Sequence, residues 1–253
     1  MNARIPALVA HRGYAGRYPE NTLPAVAAAL RAGVSCVEID VQLTADGVPV
    51  LFHDADLSRT TGAAGRITGT AFPALQGLRA GETARLGPRF RATMIPTLAE
   101  FAELLRAWPA AQAFVELKRE SLDAFGSDAV VARVLDALAP CLDRCILISF
   151  DEHALSRARA AGAPRIGWVV GAWDDVQRNI AEALAPDFLF CNHTRIPDPS
   201  TPLWPGPWQW AFYEVTDPAL ALDLARRGAT LVETMALDAF TGPPWSLTIA
   251  DER

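Results

Sequence analysis

Four clusters of ionisable residues each end or follow a short apolar run of the sequence. They are His11 with Arg12, Glu38 with Asp40, His53 with Asp54, and Glu116 with Lys118. A histidine can move protons near neutral pH, and arginine or lysine can hold an anionic oxygen. Any one cluster could also be a solvated strand end, a satisfied core histidine or a simple ion pair. Their recurrence after separate apolar runs favours one shared site.

The carboxylates of this set suggest a metal ion. Glu38 and Asp40 are two residues apart, so a β-strand directs both to one face. Burying such a pair in a sheet covered on both faces is costly, and a divalent cation offsets the repulsion. Glu116 can add a third carboxylate, or it can form an ion pair with Lys118. Oxygen ligands without cysteine indicate Mg²⁺ or Ca²⁺ rather than zinc.

Composition limits the class of protein. The chain has 253 residues, 51% of them hydrophobic and 21% charged, with a net charge of −6. This balance is typical of a globular protein and gives no reason to expect nucleic acid as a partner. No apolar stretch approaches the roughly 20 residues that span a bilayer, so we expect no integral membrane contact. The four cysteines are scattered, which favours buried thiols and a cytoplasmic location.

Apolar runs alternate with amphipathic segments about eight times, which predicts an α/β protein. The predicted strands lie at Ile5–Ala10, Ser35–Leu43, Ala113–Leu117, Cys145–Ser149, Arg165–Val170, Phe188–Cys191, Gln209–Val215 and Thr230–Glu233. We expect a single (β/α)₈ TIM-type barrel over residues 1–253, with a small loop-like insertion, Asp54–Pro96, after the second repeat. A doubly wound open sheet is the alternative, weakened because no glycine-rich phosphate loop follows the first strand.

Three ordered motifs resemble the glycerophosphodiester phosphodiesterase family, in its bacterial cytoplasmic type. They are AHRGYAGRYPENTLPAVAAAL from residue 10, CVEIDVQLTADGVPVLFHDADLSRTTG from residue 36, and FVELK from residue 114. The resemblance implies a (β/α)₈ barrel that hydrolyses glycerophosphodiesters to glycerol 3-phosphate and an alcohol. It also implies one bound divalent cation, Mg²⁺ or Ca²⁺.

The same resemblance assigns roles to individual residues. His11 and His53 would be the general acid and base. The metal ligands would be Glu38, Asp40 and Glu116. The phosphate would be bound by Arg12 and Lys118, and Glu20 would support the site. The nucleophile stays open: it could be water or a hydroxyl of the substrate.

Departures from the family pattern concern specificity. The family usually has a Trp-Thr-Val-Asn run near its seventh strand, where this chain places Tyr213 and Thr216. Glu233 adds a carboxylate near the same rim. Trp204, in a proline-rich loop, is a candidate wall for the alcohol group of the substrate. These residues predict altered substrate preference with an intact catalytic core.

Two other functions stay open at this point. A phospholipase-D-like or cyclising phosphodiesterase acting on lysophospholipids could use the same barrel site. A binding module without activity is the alternative from another class, and the loss of a metal ligand or histidine would favour it. We expect a small-molecule substrate, while the oligomeric state is not indicated by the sequence.

Overall fold

A computed structural model describes residues 5–249. Its strands, numbered along the chain, are β1 Ala7–Ala10, β2 Cys36–Leu43, β3 Pro49–Leu51, β4 Gln112–Leu117, β5 Cys145–Ser149, β6 Ile166–Val170, β7 Phe188–Asn192, β8 Gln209–Tyr213 and β9 Ala229–Thr234. All but β3 pair in parallel, and β1 pairs with both β2 and β9, which closes an eight-stranded barrel. The predicted (β/α)₈ barrel is therefore confirmed, and the open-sheet alternative is wrong.

Helices connect the strands around the outside. They are α1 Leu23–Arg31, α2 Ser58–Thr61, α3 Phe72–Leu75, α4 Thr83–Leu86, α5 Leu98–Arg106, α6 Arg119–Phe125, α7 Ser127–Leu138, α8 Glu152–Ala160, α9 Asp175–Leu184 and α10 Pro218–Arg227. Short 3₁₀ turns occupy Ile67–Gly69, Gly87–Phe90, Ala139–Arg144, His193–Arg195 and Leu237–Phe240. Helix α5 starts at a capping box, in which Thr97 and Glu100 each bond the other's backbone N–H.

Side chains alternate in direction along each strand, so the barrel has one core inside it and another between the strands and the helices. One fills the barrel interior and comprises Val9, Cys36, Phe114, Ile146, Ile148, Val169, Phe188, Phe190, Ala211 and Leu231. The intervening residues, such as Val37 and Val115, pack outward against the helices. Because successive side chains alternate in direction, Glu38, Asp40 and Glu116 continue the inward rows toward the carboxyl ends of the strands. The barrel therefore gathers its carboxylates at the end where (β/α)₈ enzymes carry their active sites.

The insertion after β2 is more ordered than its loop-like composition suggests. Residues 54–96 contain α2, α3, α4 and two 3₁₀ turns. They form a small core of their own with the end of β3, comprising Val50, Phe52, Leu57, Ile67, Leu75, Ala80 and Ile95. The helices are single turns, too short for periodicity to reveal them. The prediction of a small insertion is confirmed, and its description as a loop was incomplete.

Helix α6, which follows Lys118 directly, was missed from the sequence. Its N-cap residue makes no side-chain hydrogen bond, so the usual start signal is lacking. All four cysteines are buried and free, as expected. Among the described residues, the helices are too short or too polar to cross a membrane.

Candidate active site

His11 follows β1 and lies inside the barrel end. Its backbone N–H donates to the carbonyl of Thr234 at 3.0 Å, which ties the end of β1 to β9. Its Nε2 atom lies 3.3 Å from Oε1 of Glu233 and 3.9 Å from Oε2 of Glu38. Burial and the neighbouring Arg12 guanidinium lower the pKa of His11 to about 3. His11 is therefore held as a neutral imidazole.

The three carboxylates expected to bind a metal converge beside His11. One oxygen each from Glu38, Asp40 and Glu116 lies within 4.8 Å of the others. Glu38 is buried, and its Oε1 atom has no hydrogen-bond partner. An unpaired carboxylate oxygen in a low-dielectric interior is strongly disfavoured, and a cation coordinated there would satisfy it. The donor set therefore fits a hard divalent ion.

The pKa values of the three carboxylates are shifted in different directions. Burial and nearby carboxylates, chiefly Asp40, raise the pKa of Glu38 well above its usual range. Burial would also raise the pKa of Asp40, but Lys118 and Arg12 outweigh it and hold that pKa below its usual range. Burial raises the pKa of Glu116 despite the neighbouring Lys118 ammonium. Negative charge is therefore held most firmly on Asp40, which contacts both cations, while Glu38 and Glu116 are the carboxylates whose charged forms a metal ion would stabilise most.

Arg12 and Lys118 lie against the same cluster. Arg12 Nε lies 3.1 Å from Oδ2 of Asp40, and the Arg12 backbone N–H donates to Oε2 of Glu38 at 3.1 Å. Lys118 Nζ bridges Oδ1 of Asp40 at 3.2 Å and Oε1 of Glu116 at 2.9 Å. Both cations are mostly buried, so an anionic oxygen entering here meets positive charge that water screens weakly.

His53 follows β3 and is aligned by its neighbour. Asp54 Oδ1 lies 2.7 Å from Nδ1 of His53, so the carboxylate favours a proton on Nδ1 and leaves Nε2 free for exchange. Arg59, on α2, donates to both oxygens of Asp54 at 2.5 and 2.9 Å. Burial would raise the pKa of Asp54, but the Arg59 hydrogen bonds and His53 lower it to about 2. Asp54 is therefore a charged partner that orients the His53 ring.

Glu20 links this pair to Arg12, which lies against the three grouped carboxylates. It accepts hydrogen bonds from Arg59 at 2.6 and 2.8 Å and from Arg12 at 3.0 Å. Its backbone N–H donates to Glu82 of the insertion at 2.7 Å. One network thus connects the insertion to both sides of the site, in line with the supporting role expected of Glu20.

Several site residues were not singled out from the sequence. Asn21 donates to Oδ2 of Asp40 at 2.8 Å and accepts from the Asp40 backbone N–H at 3.0 Å. The six non-glycine residues with positive φ among those described include Arg12, Asn21, Glu82 and Glu214. Such backbone strain concentrates where a side chain must be held in one direction. Asn21 and Arg59 could have been found from their places in the first and second quoted motifs, whereas no quoted motif includes Glu82.

These groups surround a cavity of about 130 Å³ at the barrel end. It is lined by His11, Arg12, Glu38, His53, Glu116, Lys118, Ile148, Phe150, Val169, Phe190, Tyr213, Glu214 and Glu233. Asp40 lies below the lining and touches it through Arg12 and Lys118. One wall is polar and charged, and the wall formed by β5 to β8 is largely apolar. The cavity can hold a phosphate on one side and an organic group on the other.

Of the four residues expected to set specificity, Tyr213 and Glu233 line this cavity. Thr216 is exposed beyond the end of β8 and lies outside the lining. Glu214 occupies the rim position expected of Thr216, because the chain turns at Glu214, where φ is 61°. The specificity role predicted for Thr216 is therefore not supported by its position.

Trp204 is also outside the cavity. Its ring stacks on Trp173 with centroids 4.4 Å apart and packs edge-on against Trp210 at 5.9 Å. Its backbone carbonyl accepts hydrogen bonds from the indole N–H groups of Trp208 and Trp210. Trp210 faces outward from β8, so this cluster covers the outside of the barrel. The expected substrate wall at Trp204 is instead core packing.

The geometry agrees with comparisons to known proteins. The sequence profile of the glycerophosphoryl diester phosphodiesterase family matches residues 11–196. A solved structure of an Oleispira antarctica phosphodiesterase, in complex with the product sn-glycerol-3-phosphate, is 28% identical with a TM-score of 0.80. The similarity covers 94% of this chain and 98% of that one.

Curated relatives match over shorter segments. Glycerophosphodiester phosphodiesterase 1 of Bos taurus is 42% identical over 92 residues, which are 36% of this chain and 28% of that protein. A glycerophosphodiester phosphodiesterase of Bacillus altitudinis is 32% identical over 149 residues, covering 59% of this chain and 60% of the relative. The matches thus span less than a third of the mammalian relative and somewhat more than half of the bacterial one.

Proposed function

The chain belongs to the glycerophosphoryl diester phosphodiesterase family, and we propose that it hydrolyses glycerophosphodiesters to glycerol 3-phosphate and an alcohol. One observation carries the proposal: two histidines and three carboxylates, distant in sequence, converge on one cavity at the carboxyl ends of the barrel strands. The product named for the Oleispira antarctica phosphodiesterase supports the same substrate class.

We further propose that the reaction requires one divalent cation, Mg²⁺ or Ca²⁺. Glu38, Asp40 and Glu116 would hold it, since their oxygens are grouped and Glu38 Oε1 lacks a partner. When bound, such an ion stabilises the negative charge that develops on the phosphoryl oxygens. Arg12 and Lys118 border the same place, and in the proposed reaction they bind the remaining phosphate oxygens.

Proton transfer is assigned to the two histidines. His11 lies beside Glu38 and Glu233, and we assign to it the removal of the proton from the attacking hydroxyl. Asp54 holds the Nδ1 side of the His53 ring, and we assign to Nε2 the delivery of a proton to the departing alcohol oxygen. Arg59 and Glu20 keep Asp54 charged and in place. The two histidines therefore have different roles in the proposed mechanism.

The test is direct detection of the product. Purified protein is incubated with glycerophosphocholine, and released glycerol 3-phosphate is measured with a coupled dehydrogenase. We expect turnover with Mg²⁺ or Ca²⁺, loss of turnover after chelation, and recovery when the ion is restored. Release of choline phosphate instead of choline would show that a different bond is cleaved and would overturn the proposed reaction.

A further inference from the structure

The loop that follows β1 carries three residues of the candidate site. Arg12, Glu20 and Asn21 all lie in residues 11–22, between β1 and α1. The backbone N–H of Asn21 donates to the carbonyl of Arg12 at 3.1 Å, and both side chains contact Asp40. Arg12 and Asn21 each have φ 55°, an uncommon conformation for residues with side chains. A loop in this conformation persists only where surrounding contacts hold it.

A glutamate and an arginine of the insertion supply contacts of this kind. Glu82, just before α4, is 6% exposed, and its Oε1 accepts from the backbone N–H of Glu20 at 2.7 Å. Arg85, on α4, donates from Nη1 to the carbonyl of Ala15 at 2.7 Å and from Nη2 to the carbonyl of Tyr18 at 2.9 Å. The two side chains together satisfy three backbone groups of one loop, whose loss of partners would be costly.

The two side chains are themselves held in place. Arg85 donates from Nε to Oε2 of Glu82 at 2.6 Å and from Nη2 to Oε1 at 2.9 Å. The backbone N–H of Glu82 donates to the carbonyl of Thr60 at 3.3 Å, beside Arg59 on α2. A Cβ on Gly81 would lie 2.2 Å from a backbone oxygen of the insertion, so the chain packs there as only glycine allows. Glu82 therefore contacts both the loop after β1 and the helix that carries Arg59.

Glu20 is the residue through which these contacts reach the site. The start of the loop is fastened to α1, where the Tyr14 N–H donates to the carbonyl of Ala25 at 2.9 Å. Glu20 lies at the other end of the loop, and its backbone is held by Glu82 of the insertion. Its carboxylate accepts from Arg12 at 3.0 Å, so a displaced Glu20 displaces the contact that orients the guanidinium.

We infer that Glu82 and Arg85 are positioning residues, which hold Glu20 and through it set Arg12 at the phosphate side of the cavity. Neither lines the cavity, so they act on the reaction only through the loop. The inference rests on the proposed function, in which Arg12 binds a phosphate oxygen. A binding group displaced by about 1 Å can cost on the order of 10²-fold in rate, which makes the effect measurable.

Kinetics of Glu82 variants test this role. The kcat/KM for glycerophosphocholine is measured at saturating divalent ion for the wild type, Glu82→Ala and Glu82→Gln. Glu82→Ala should lower kcat/KM by about 10- to 10²-fold. Glu82→Gln should lie between it and the wild type, because one amide oxygen cannot replace both carboxylate oxygens. Glu103→Ala, which breaks the exposed Glu103–Arg106 pair of the same spacing on α5, is the matched control and should change kcat/KM less than about twofold.

A double variant separates positioning from a general loss of structure. If Glu82 acts through Glu20, its removal matters little once the Glu20 carboxylate is gone. We expect Glu82→Ala to lower kcat/KM less than about threefold further in a Glu20→Ala background. Losses that multiply in full would show that the two residues act independently and would overturn the inference.

Hydrogen–deuterium exchange tests the same contacts without catalysis. Residues 12–22 should exchange faster in Glu82→Ala than in the wild type, while β4 to β7 exchange as before. If Glu82→Ala exchanges fast throughout, it is unfolded, and Arg85→Ala, which removes a half-exposed side chain, replaces it in both experiments. Unchanged exchange in residues 12–22 would overturn the inference.

The two experiments distinguish failure of the inference from failure of the proposed function. Wild-type kcat/KM in Glu82→Ala would overturn the positioning role and leave the proposed function intact. If the wild type hydrolyses no glycerophosphodiester, the proposed function fails. The exchange of residues 12–22 then decides alone whether Glu82 and Arg85 hold the loop.

Discussion

The Nδ1 atom of His53 lies 2.7 Å from Oδ1 of Asp54, and Arg59 binds the same carboxylate from its other side. Asp54 comes directly after His53 in sequence, but the turn into the insertion directs its carboxylate back to the imidazole. A histidine oriented in this way presents one defined nitrogen to a substrate. The insertion therefore contributes to the site by aligning a residue of the barrel.

The first prediction concerns Asp54. Asp54→Asn keeps an oxygen that can accept from Nδ1 of His53 but removes the carboxylate charge that the imidazole and Arg59 contact. We expect kcat to fall by about 10²-fold, a typical loss when proton transfer is impaired, with KM little changed. Asp56→Asn, an exposed neighbour, is the control and should keep wild-type kcat. Equal kcat in both variants would show that Asp54 does not act through His53.

A second prediction separates the two histidines. Removing either side chain should cost about 10²–10⁴-fold in kcat with glycerophosphocholine. With a p-nitrophenyl diester, whose leaving group needs no proton, His53→Ala should recover much of this loss and His11→Ala should not. The measurement is the ratio of rates on the two substrates. Recovery in His11→Ala instead of His53→Ala would reverse the assigned roles.

The third prediction follows from the exposed position of Thr216. Thr216→Asn restores the residue type expected from the family pattern, but its side chain lies outside the cavity lining. We expect less than about a twofold change in kcat/KM on glycerophosphocholine and glycerophosphoglycerol, as for a surface residue without substrate contact. A large gain in efficiency would show that Thr216 does reach the substrate.

A fourth prediction tests the role of Trp204 in packing. Trp204→Ala removes a buried indole that stacks on Trp173 and packs against Trp210. The free energy of unfolding should fall by about 3–5 kcal/mol, the usual cost of truncating a buried tryptophan. Denaturant titration measures this loss. The ratio of the KM for glycerophosphocholine to the KM for glycerophosphoglycerol should stay at the wild-type value. Wild-type stability with an altered ratio would restore the substrate-wall hypothesis.

The sequence predicted the barrel and most of the site because both depend on local patterns. Period-two alternation placed Glu38 and Asp40 on one inward face, and the structure brings Glu116 to them across β2 and β4. The grouping of these carboxylates could be anticipated because parallel strands align their carboxyl ends. Predictions of this kind need only the strand period and the order of the motifs.

Other parts depend on tertiary contacts that no local pattern encodes. Arg59 and Glu82 reach the site from single-turn helices or turns of the insertion, where no periodicity marks their direction. Trp204 looked accessible because it lies in a proline-rich loop, yet that loop folds onto the outer face of the barrel. Glu214, rather than Thr216, lies at the rim because the backbone turns just after β8, where Glu214 itself has a positive φ.

In the proposed reaction Glu38, Asp40 and Glu116 hold a divalent ion on which turnover depends. The most direct test of this dependence is glycerophosphocholine turnover by metal-stripped wild type and Glu38→Gln, each titrated with Mg²⁺ and with Ca²⁺, with circular dichroism to verify folding. We predict that the wild type regains activity with one of these ions, while Glu38→Gln stays folded and loses most activity at every concentration. Wild-type turnover by Glu38→Gln in chelator-treated buffer would contradict the account.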